Sequence, residues 1–353
     1  MIFGSRSKPL IGLDITTSSI KLVELVSAGR SYRAECYSAE PTPPNAINEK
    51  TIVDAEAVGE AIRRAVKRAG SDTQDVAIAI SGDAAITKVI QMPRTLGANE
   101  LEGQVEIQAD QYIPFPMEEV SFDFEIMGPS INDPDMNDVL LVATRTENVD
   151  QRRAAVEAAG LTARVVDVEA FALENACALL AHQMPDAGME HLIAVVDFGA
   201  SNTTFSVLQD MRVIYTRDFS FGGQQLTEEI MRTYGLSLED AGRAKKEGGL
   251  PSNFQPEVLD PFIDDMTQQV SRSLQFFLAS GGGREQPDQI LVCGGCANIA
   301  GVADVISSKV GIPTEIGDPL GQMKISSRAK SQGVRKDATA LLTACGLALR
   351  SFD

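Results

Sequence analysis

The chain has 353 residues, 44% hydrophobic and 23% charged, enough apolar material for one large core or two medium ones. Forty-nine acidic side chains against 31 basic ones give a net charge of −18, a field that repels nucleic acid and anionic membrane surfaces and excludes both as non-specific partners. No apolar run nears the roughly 20 residues of a membrane span, the start Met1–Lys8 is polar and unlike a signal peptide, and five irregularly spaced cysteines read as reduced, buried thiols, so the expected location is the cytoplasm.

In chain order, Ile11–Ile15 and Ile20–Val26 read as strands joined by a run of small hydroxyl residues, with a third strand at Tyr32–Ala39 after the turn Ser27–Arg30. Asp54–Ala69 has Ala57, Val58, Ala61, Ile62, Ala65 and Val66 on one face and basic residues opposite, the spacing of an amphipathic helix. Val76–Ile80 is a short buried strand. From Thr87 to Leu161 the character changes. Strand-like Lys88–Met92, a helix near Glu100–Gln111, the stiff stretch Tyr112-Ile-Pro-Phe-Pro116, strands Val120–Ile126 and Val139–Thr144 and the helix Glu147–Ala159 read as an inserted α+β unit. A strand at Arg164–Asp167 and a helix at Ala170–Ala181 follow.

The second half opens on the buried strand Leu192–Asp197, a polar turn and the strand Phe205–Gln209. Helices at Gln224–Tyr234 and Leu238–Lys246 precede a long one, Pro256–Ser280, whose apolar stripe predicts core and which Gly281-Gly-Gly283 ends. The strand Gln289–Cys293, a Gly-Gly turn and helices Gly301–Val310 and Ala338–Leu349 close the chain. Asp14 and Asp197 each open a hydroxyl-rich turn between two strands, and both second strands end in a polar turn with arginine (Gly29-Arg30, Asp210-Met-Arg212). Such a long-range echo predicts two similar lobes facing one another, an α/β fold. The expected division is 1–86, 162–190 and 338–353 for the first lobe's core and 87–161 for the insert. Residues 191–222 and 288–337 then form the second lobe's core, and 223–287 its subdomain.

The two turns carry the chemistry. Asp14-Ile-Thr-Thr-Ser-Ser19 and Asp197-Phe-Gly-Ala-Ser-Asn-Thr203 each set a carboxylate at a strand end and then small residues whose N–H and hydroxyl groups suit phosphate oxygens. Paired carboxylates suit hydrated Mg²⁺, and Lys21 follows at a distance that reaches a phosphate. Either turn alone also reads as a plain polar hairpin. The third element is Ile290-Leu-Val-Cys-Gly-Gly-Cys296, a buried strand and a glycine turn that a flat ligand can approach closely.

Together with the helices Glu169–Ala176 and Ala338–Leu349, this set resembles the actin, Hsp70 and hexokinase superfamily, and the insert after Val76–Ile80 resembles that of FtsA, the bacterial cell-division actin relative. More specifically, Gly12-Leu-Asp-Ile-Thr-Thr-Ser-Ser-Ile-Lys-Leu-Val-Glu-Leu25 resembles the PilM family, cytoplasmic actin-like components of the type IV pilus assembly platform. Supporting stretches are Gln108–Pro116, Asp167–Ala176 and Phe221–Ile230, and the likeness covers essentially the whole chain.

The resemblance implies an actin-like (ribonuclease H-like) two-lobed ATPase fold that binds ATP or ADP with Mg²⁺. It makes Asp14, Thr17, Ser18, Ser19 and Lys21 one phosphate group, and Asp197, Gly199, Ala200, Ser201, Asn202 and Thr203 the other. Gly294, Gly295 and Asn298 would line the adenosine, with Lys245 reaching it. Asp14 and Asp197 would hold the metal through water, and Glu169 would orient an attacking water. The chain departs from the family at Thr16, usually glycine, and at Gly242, usually a glutamate that binds the ribose.

The resemblance also implies that a groove beside Tyr112, Ile113 and Phe115, within Gln108–Phe124, takes up the cytoplasmic N-terminal tail of the membrane protein PilN. It further implies links to the pilus motor ATPases and a place at the inner membrane through that partner, with self-association open. The residues leave other readings. Tyr112–Pro116 also reads as a stiff connector. Cys293-Gly-Gly-Cys296 has redox or zinc spacing but no second pair, and His182 and His191 stand apart from it as surface or capping residues. Asp264-Asp265 and Glu118-Glu119 read as solvated faces. A small-molecule kinase of the superfamily would need a catalytic aspartate turn that the sequence does not offer. An FtsA-like filament former would carry a C-terminal membrane helix, where this chain stops at Arg350–Asp353.

Overall fold

Alternating apolar residues at the start produce a meander in which β1 (Ile11–Ile15), β2 (Ser19–Ala28) and β3 (Ser31–Pro41) pair antiparallel in succession. The computed structural model describes residues 9–29, 31–48, 50–131, 133–281 and 285–353; the start Met1–Lys8, Arg30 of the first turn and Gly282–Gly283 lie outside them. A two-stranded hairpin, β4 (Ile47–Asn48) and β5 (Thr51–Ile52), leads to α1 (Ala55–Ala69). Asp54 caps α1 by accepting the Ala57 N–H at 2.9 Å, and Gly70, at φ 64°, ends it in the left-handed conformation glycine favours. The helix buries Val58, Ala61, Ile62 and Ala65. β6 (Asp75–Ile80) returns parallel to β1.

The chain then leaves the sheet for a small unit of its own. β7 (Ala85–Pro93), α2 (Ala98–Ala109), β8 (Val120–Pro129) and β9 (Met136–Arg145) form a three-stranded antiparallel sheet in the order β7-β9-β8, with α2 laying Leu101, Val105 and Ala109 over it. α3 (Thr146–Ala158), expected in this insert, packs instead on α1. At Gly59 a Cβ would stand 2.6 Å from Ala158 Cβ, so the glycine lets the two helices touch. β10 (Thr162–Val168) adds parallel to β6, and α4 (Glu169–Leu180) follows.

The second lobe repeats the plan. β11 (Leu192–Phe198), β12 (Thr203–Gln209) and β13 (Arg212–Phe219) form an antiparallel meander, and α5 (Gly223–Tyr234), α6 (Leu238–Glu247) and α7 (Asp260–Ser280) follow. The long helix expected over Pro256–Ser280 begins as a π-helical turn, Gln255–Leu259, in which Asp260 N–H bonds Gln255 O. Pro261 has no N–H to continue a regular ladder there. β14 (Gln289–Cys293) joins parallel to β11, then come α8 (Val302–Val310) and β15 (Thr314–Ile316) parallel to β14.

Read outward from the hairpin, β10-β6-β1-β2-β3 and β15-β14-β11-β12-β13 are the same arrangement of parallel and antiparallel neighbours. The chain ends back on the first lobe, earlier than the expected boundary at 338. β16 (Lys324–Ile325) pairs parallel with β3, α9 (Ser327–Ser331) follows, and α10 (Leu342–Leu349) crosses β1 and α4. A Cβ on Gly12 would overlap Ala344 O, and one on Gly346 would overlap Ala172 O, so α10 is seated between backbones at closest approach.

Candidate functional site

The two meanders bring their first turns together. In the first, Asp14 pairs with Lys21 across β1 and β2, and Lys21 Nζ donates to Asp14 Oδ2 at 2.7 Å. Thr16 closes the turn: its N–H and hydroxyl both donate to Ser19 O, at 3.1 and 2.8 Å. In the second, Gly199 N–H donates to Asn202 O at 3.0 Å, and the carbonyls of Gly199 and Ala200 accept Gly223 and Gln224 N–H from the start of α5. Thr17 Oγ1 and Ser201 Oγ lie 2.8 Å apart, a hydrogen bond directly between the two turns across the cleft. The structure thus sets the two predicted hairpins face to face.

Acidic groups converge behind this contact. Burial and the nearby Asp14 carboxylate push the Glu169 carboxyl, at the start of α4, up to about 7, with Asp218 adding to the rise. Asp197 is pushed up to about 6 by burial, Asp14 and Asp218. Lys21 loses solvation in the same place, yet the Asp14 carboxylate, with Asp197 and Asp337, raises it. Burial is the largest cause of both shifts; the neighbouring carboxylates add to it, while Lys50 and Arg152 beside Glu169, and Lys21 beside Asp197, work against it. Among the described residues no group of three ligands could grasp a metal ion directly. A hydrated divalent cation, held by Asp14 and Asp197 through its waters, fits that donor set, and its charge would relieve the repulsion.

The glycine turn after β14 closes the second side. Gly294 is at φ 87°, and a Cβ there would stand 2.5 Å from Asp197 Oδ1, so only glycine lets this turn lie on the carboxylate. Gly294 exchanges hydrogen bonds with Thr339, its N–H donating to Thr339 O at 2.7 Å and its carbonyl accepting Thr339 Oγ1 at 2.9 Å. Gly295 faces open space and Asn298 is exposed, its Nδ2 donating to Lys336 O. Lys245 Nζ donates to Gly223 O at 2.8 Å and Thr227 Oγ1 at 2.6 Å, which spends it on the α5 start. Thr203 does not line the cleft: it is fully buried and donates its hydroxyl to Phe221 O. Cys296 packs against Gly199 O at 3.7 Å, and Cys293 is buried beside Gly317 O.

In the insert, Tyr112 is exposed with Lys88 Nζ 5.3 Å from its ring, and Phe115 is half-buried under the Arg145 guanidinium. Ile113 is not a groove wall. It is 5% exposed and packs in the core under α2, because Ile113 N–H continues the helical pattern onto Ala109 O and turns its side chain inward.

Three functional candidates escaped the sequence reading. Lys50, between β4 and β5, bonds Asp218 at 2.7 Å and Asp83 at 3.1 Å. Arg152 of α3, 6% exposed, donates to Ala79 O and Lys50 O and feels Glu169 and Asp14. Asp218 lies on β13, whose β-branched and aromatic run Val213–Thr216 was the available signal.

The comparisons identify the family and the fold. The model of the family described as type IV pilus assembly protein PilM matches residues 12–352. Among solved structures, a PilM-PilN type IV pilus biogenesis complex has a chain 27% identical, covering 98% of this chain and 99% of that one, with a TM-score of 0.79. The ethanolamine utilization protein EutJ from Carboxydothermus hydrogenoformans shares the fold at 18% identity and a TM-score of 0.56, covering 97% and 89%. Among curated proteins, the cell division protein FtsA of Enterococcus hirae is 23% identical over 87% of this chain and 79% of its own length. Against FtsA of Bacillus subtilis identity is 24%, and the chain spans 58% of that protein's length. With a family model matching nearly end to end, the chain belongs to the type IV pilus assembly protein PilM family and has its actin-like ATPase fold.

Proposed function

We propose that this protein is a nucleotide-binding adaptor of the type IV pilus inner-membrane assembly platform. The turns opened by Asp14 and Asp197 hold the phosphates of ATP or ADP, with Thr17, Ser18, Ser19, Ser201 and Asn202 as donors and Lys21 as the cation, once Thr17 and Ser201 exchange each other for ligand. Gly294, Gly295 and Asn298 border the nucleoside, and Lys245 reaches it only by leaving Gly223 and Thr227. Asp14 and Asp197 hold Mg²⁺ through its waters, which neutralises phosphate charge. Glu169, at about 7, sits near neutrality between acid and base forms and orients water for at most slow hydrolysis.

The insert offers Tyr112 and Phe115 to the N-terminal cytoplasmic tail of a PilN-type membrane protein. That contact holds the protein at the inner membrane and joins it to the motor ATPases. The observation that carries this reading is the likeness over 98% of the chain to a structure of a PilM-PilN complex. A pull-down with a PilN-like N-terminal peptide, with and without Mg-ATP, tests it: capture that responds to nucleotide is expected, and no capture under either condition refutes the adaptor role.

The likeness to FtsA supports a second reading, a filament former. Pelleting assays with Mg-ATP, with and without acidic liposomes, separate the two, since the adaptor stays in the supernatant.

A further inference from the structure

Lys50 ties the two lobes together across the cleft. Its loop belongs to the first lobe: Ile47 and Ile52 on either side pack with α1 and α3, and Lys50 O accepts Arg152 Nη2 at 3.2 Å while Arg152 Nε holds Ala79 O at 2.7 Å. Its ammonium reaches the second lobe, donating to Asp218 Oδ2 at 2.7 Å. The other oxygen of Asp218 accepts Thr204 Oγ1 at 2.7 Å, one residue past the turn that Asp197 opens. Both bridging side chains are only about a quarter exposed, 25% and 26%, so the pair is shielded more than a surface salt bridge. A second carboxylate waits on the first lobe, Asp83, 3.1 Å from the same Nζ and 62% exposed.

We propose that Lys50 is a lobe-positioning residue of the nucleotide site, a latch between Asp218 and Asp83. With the cleft closed the ammonium joins the lobes through Asp218. When the lobes part, Asp83 keeps it within the first lobe, so opening costs the cross-lobe bond without leaving the cation unpaired. The latch sets how readily the phosphate turns separate, and so how long a ligand between them stays. Its effect on ligand residence rests on the proposed nucleotide reading, whereas its effect on lobe separation does not.

The test measures lobe separation and ligand release on the same full-length protein. All five native cysteines are buried, so single exposed thiols introduced by Glu60→Cys on α1 and Lys246→Cys on α6 take a fluorophore pair selectively. Without nucleotide, Lys50→Met and Asp218→Asn should each lengthen and broaden the inter-probe distance, and Lys50→Asp combined with Asp218→Lys should return it toward the wild-type value. With Mg-ATP, each single variant should release nucleotide about five-fold faster, a ratio typical of one partly shielded ion pair. Unchanged distances in both single variants, or a double variant no closer to wild type than either, overturn the latch. If the wild-type protein binds no nucleotide, the nucleotide reading falls and the distance measurement alone decides the latch.

Discussion

Glu169→Gln tests the acidic cluster quantitatively. A carboxyl whose folded pKa lies above its unfolded value holds its proton more tightly in the folded state, so its ionisation removes stability as pH climbs from about 4.5 through about 7. The difference between about 7 and the ordinary 4.5 corresponds to about 3 kcal/mol at 1.36 kcal/mol per tenfold in proton affinity. Solvent reaching the cleft screens part of this, leaving about 2 kcal/mol. Glutamine keeps the shape and removes the charge. The variant should therefore melt about 3 °C above wild type at pH 8, for a chain this long, and show no gain at pH 4.5, where Glu169 already carries its proton. Scanning calorimetry of both proteins in steps between those pH values reads the difference, because titrating groups that do not interact with Glu169 cancel. Saturating Mg²⁺ should narrow the gap at pH 8 by supplying the missing positive charge. A difference that does not change with pH, or a variant less stable at pH 8, would refute the claim that burial, with the Asp14 and Asp218 carboxylates beside it, holds the Glu169 carboxyl above its ordinary range.

Gly242 lies within α6, where a Cβ meets nothing within 4 Å. Gly242→Glu should stabilise the fold by about 0.5–1 kcal/mol through helix propensity and tighten Mg-ATP binding by about 1–3 kcal/mol if the ribose lies there, read by urea melts and by titration calorimetry. Gly346→Val should cost at least about 3 kcal/mol in urea unfolding, because the side chain has to displace the α4 backbone at Ala172. Ile113→Asp should raise hydrogen exchange throughout residues 85–145 by burying a charge in the insert's core. Tyr112→Ala should leave the melting point within about 1 °C, as an exposed position does, and weaken capture of the tail peptide. Equal exchange in the two variants would contradict the difference in burial.

What could be read from the sequence followed local rules. The turns at Asp14 and Asp197 stood out because alternation fixes the strands and small polar residues mark the turns, and the repeated plan of the two sheets follows from that pattern. The insert's strands were legible for the same reason, each a few residues shorter than observed. The misses depended on partners far along the chain. Lys50 meets Asp83 at a separation of 33 residues and Asp218 at 168, and no spacing rule joins them. Arg152 lies in the helix read at Glu147–Ala159, where no local pattern marks it out, and tertiary packing buries it against two carbonyls. β16 is two residues long and exists because β3 offers an open edge. Ile113 was given to a groove by the family resemblance, whereas the chain takes one more helical turn before Pro114 and carries it into the insert's core.

The contact between Thr17 and Ser201 gives the cleft its logic. Two neutral hydroxyls satisfy each other at 2.8 Å, while Glu169 and Asp197 near the same cleft lose solvation and feel Asp14 and Asp218, so closure without a ligand sets this contact against the cost of keeping those carboxylates charged. The Lys50–Asp218 bridge adds a second attraction on a different pair of elements, β13 and the loop before β5. A polyphosphate with its cation enters this balance on both sides at once: the hydroxyls and turn amides gain an anion to bind, and the carboxylates gain a cation to share. On the proposed reading, the carboxylates that destabilise the empty cleft become the groups that hold the cation, and so hold the loaded cleft shut. Nucleotide occupancy is thereby converted into the relative position of two lobes, one of which carries the insert that meets the partner.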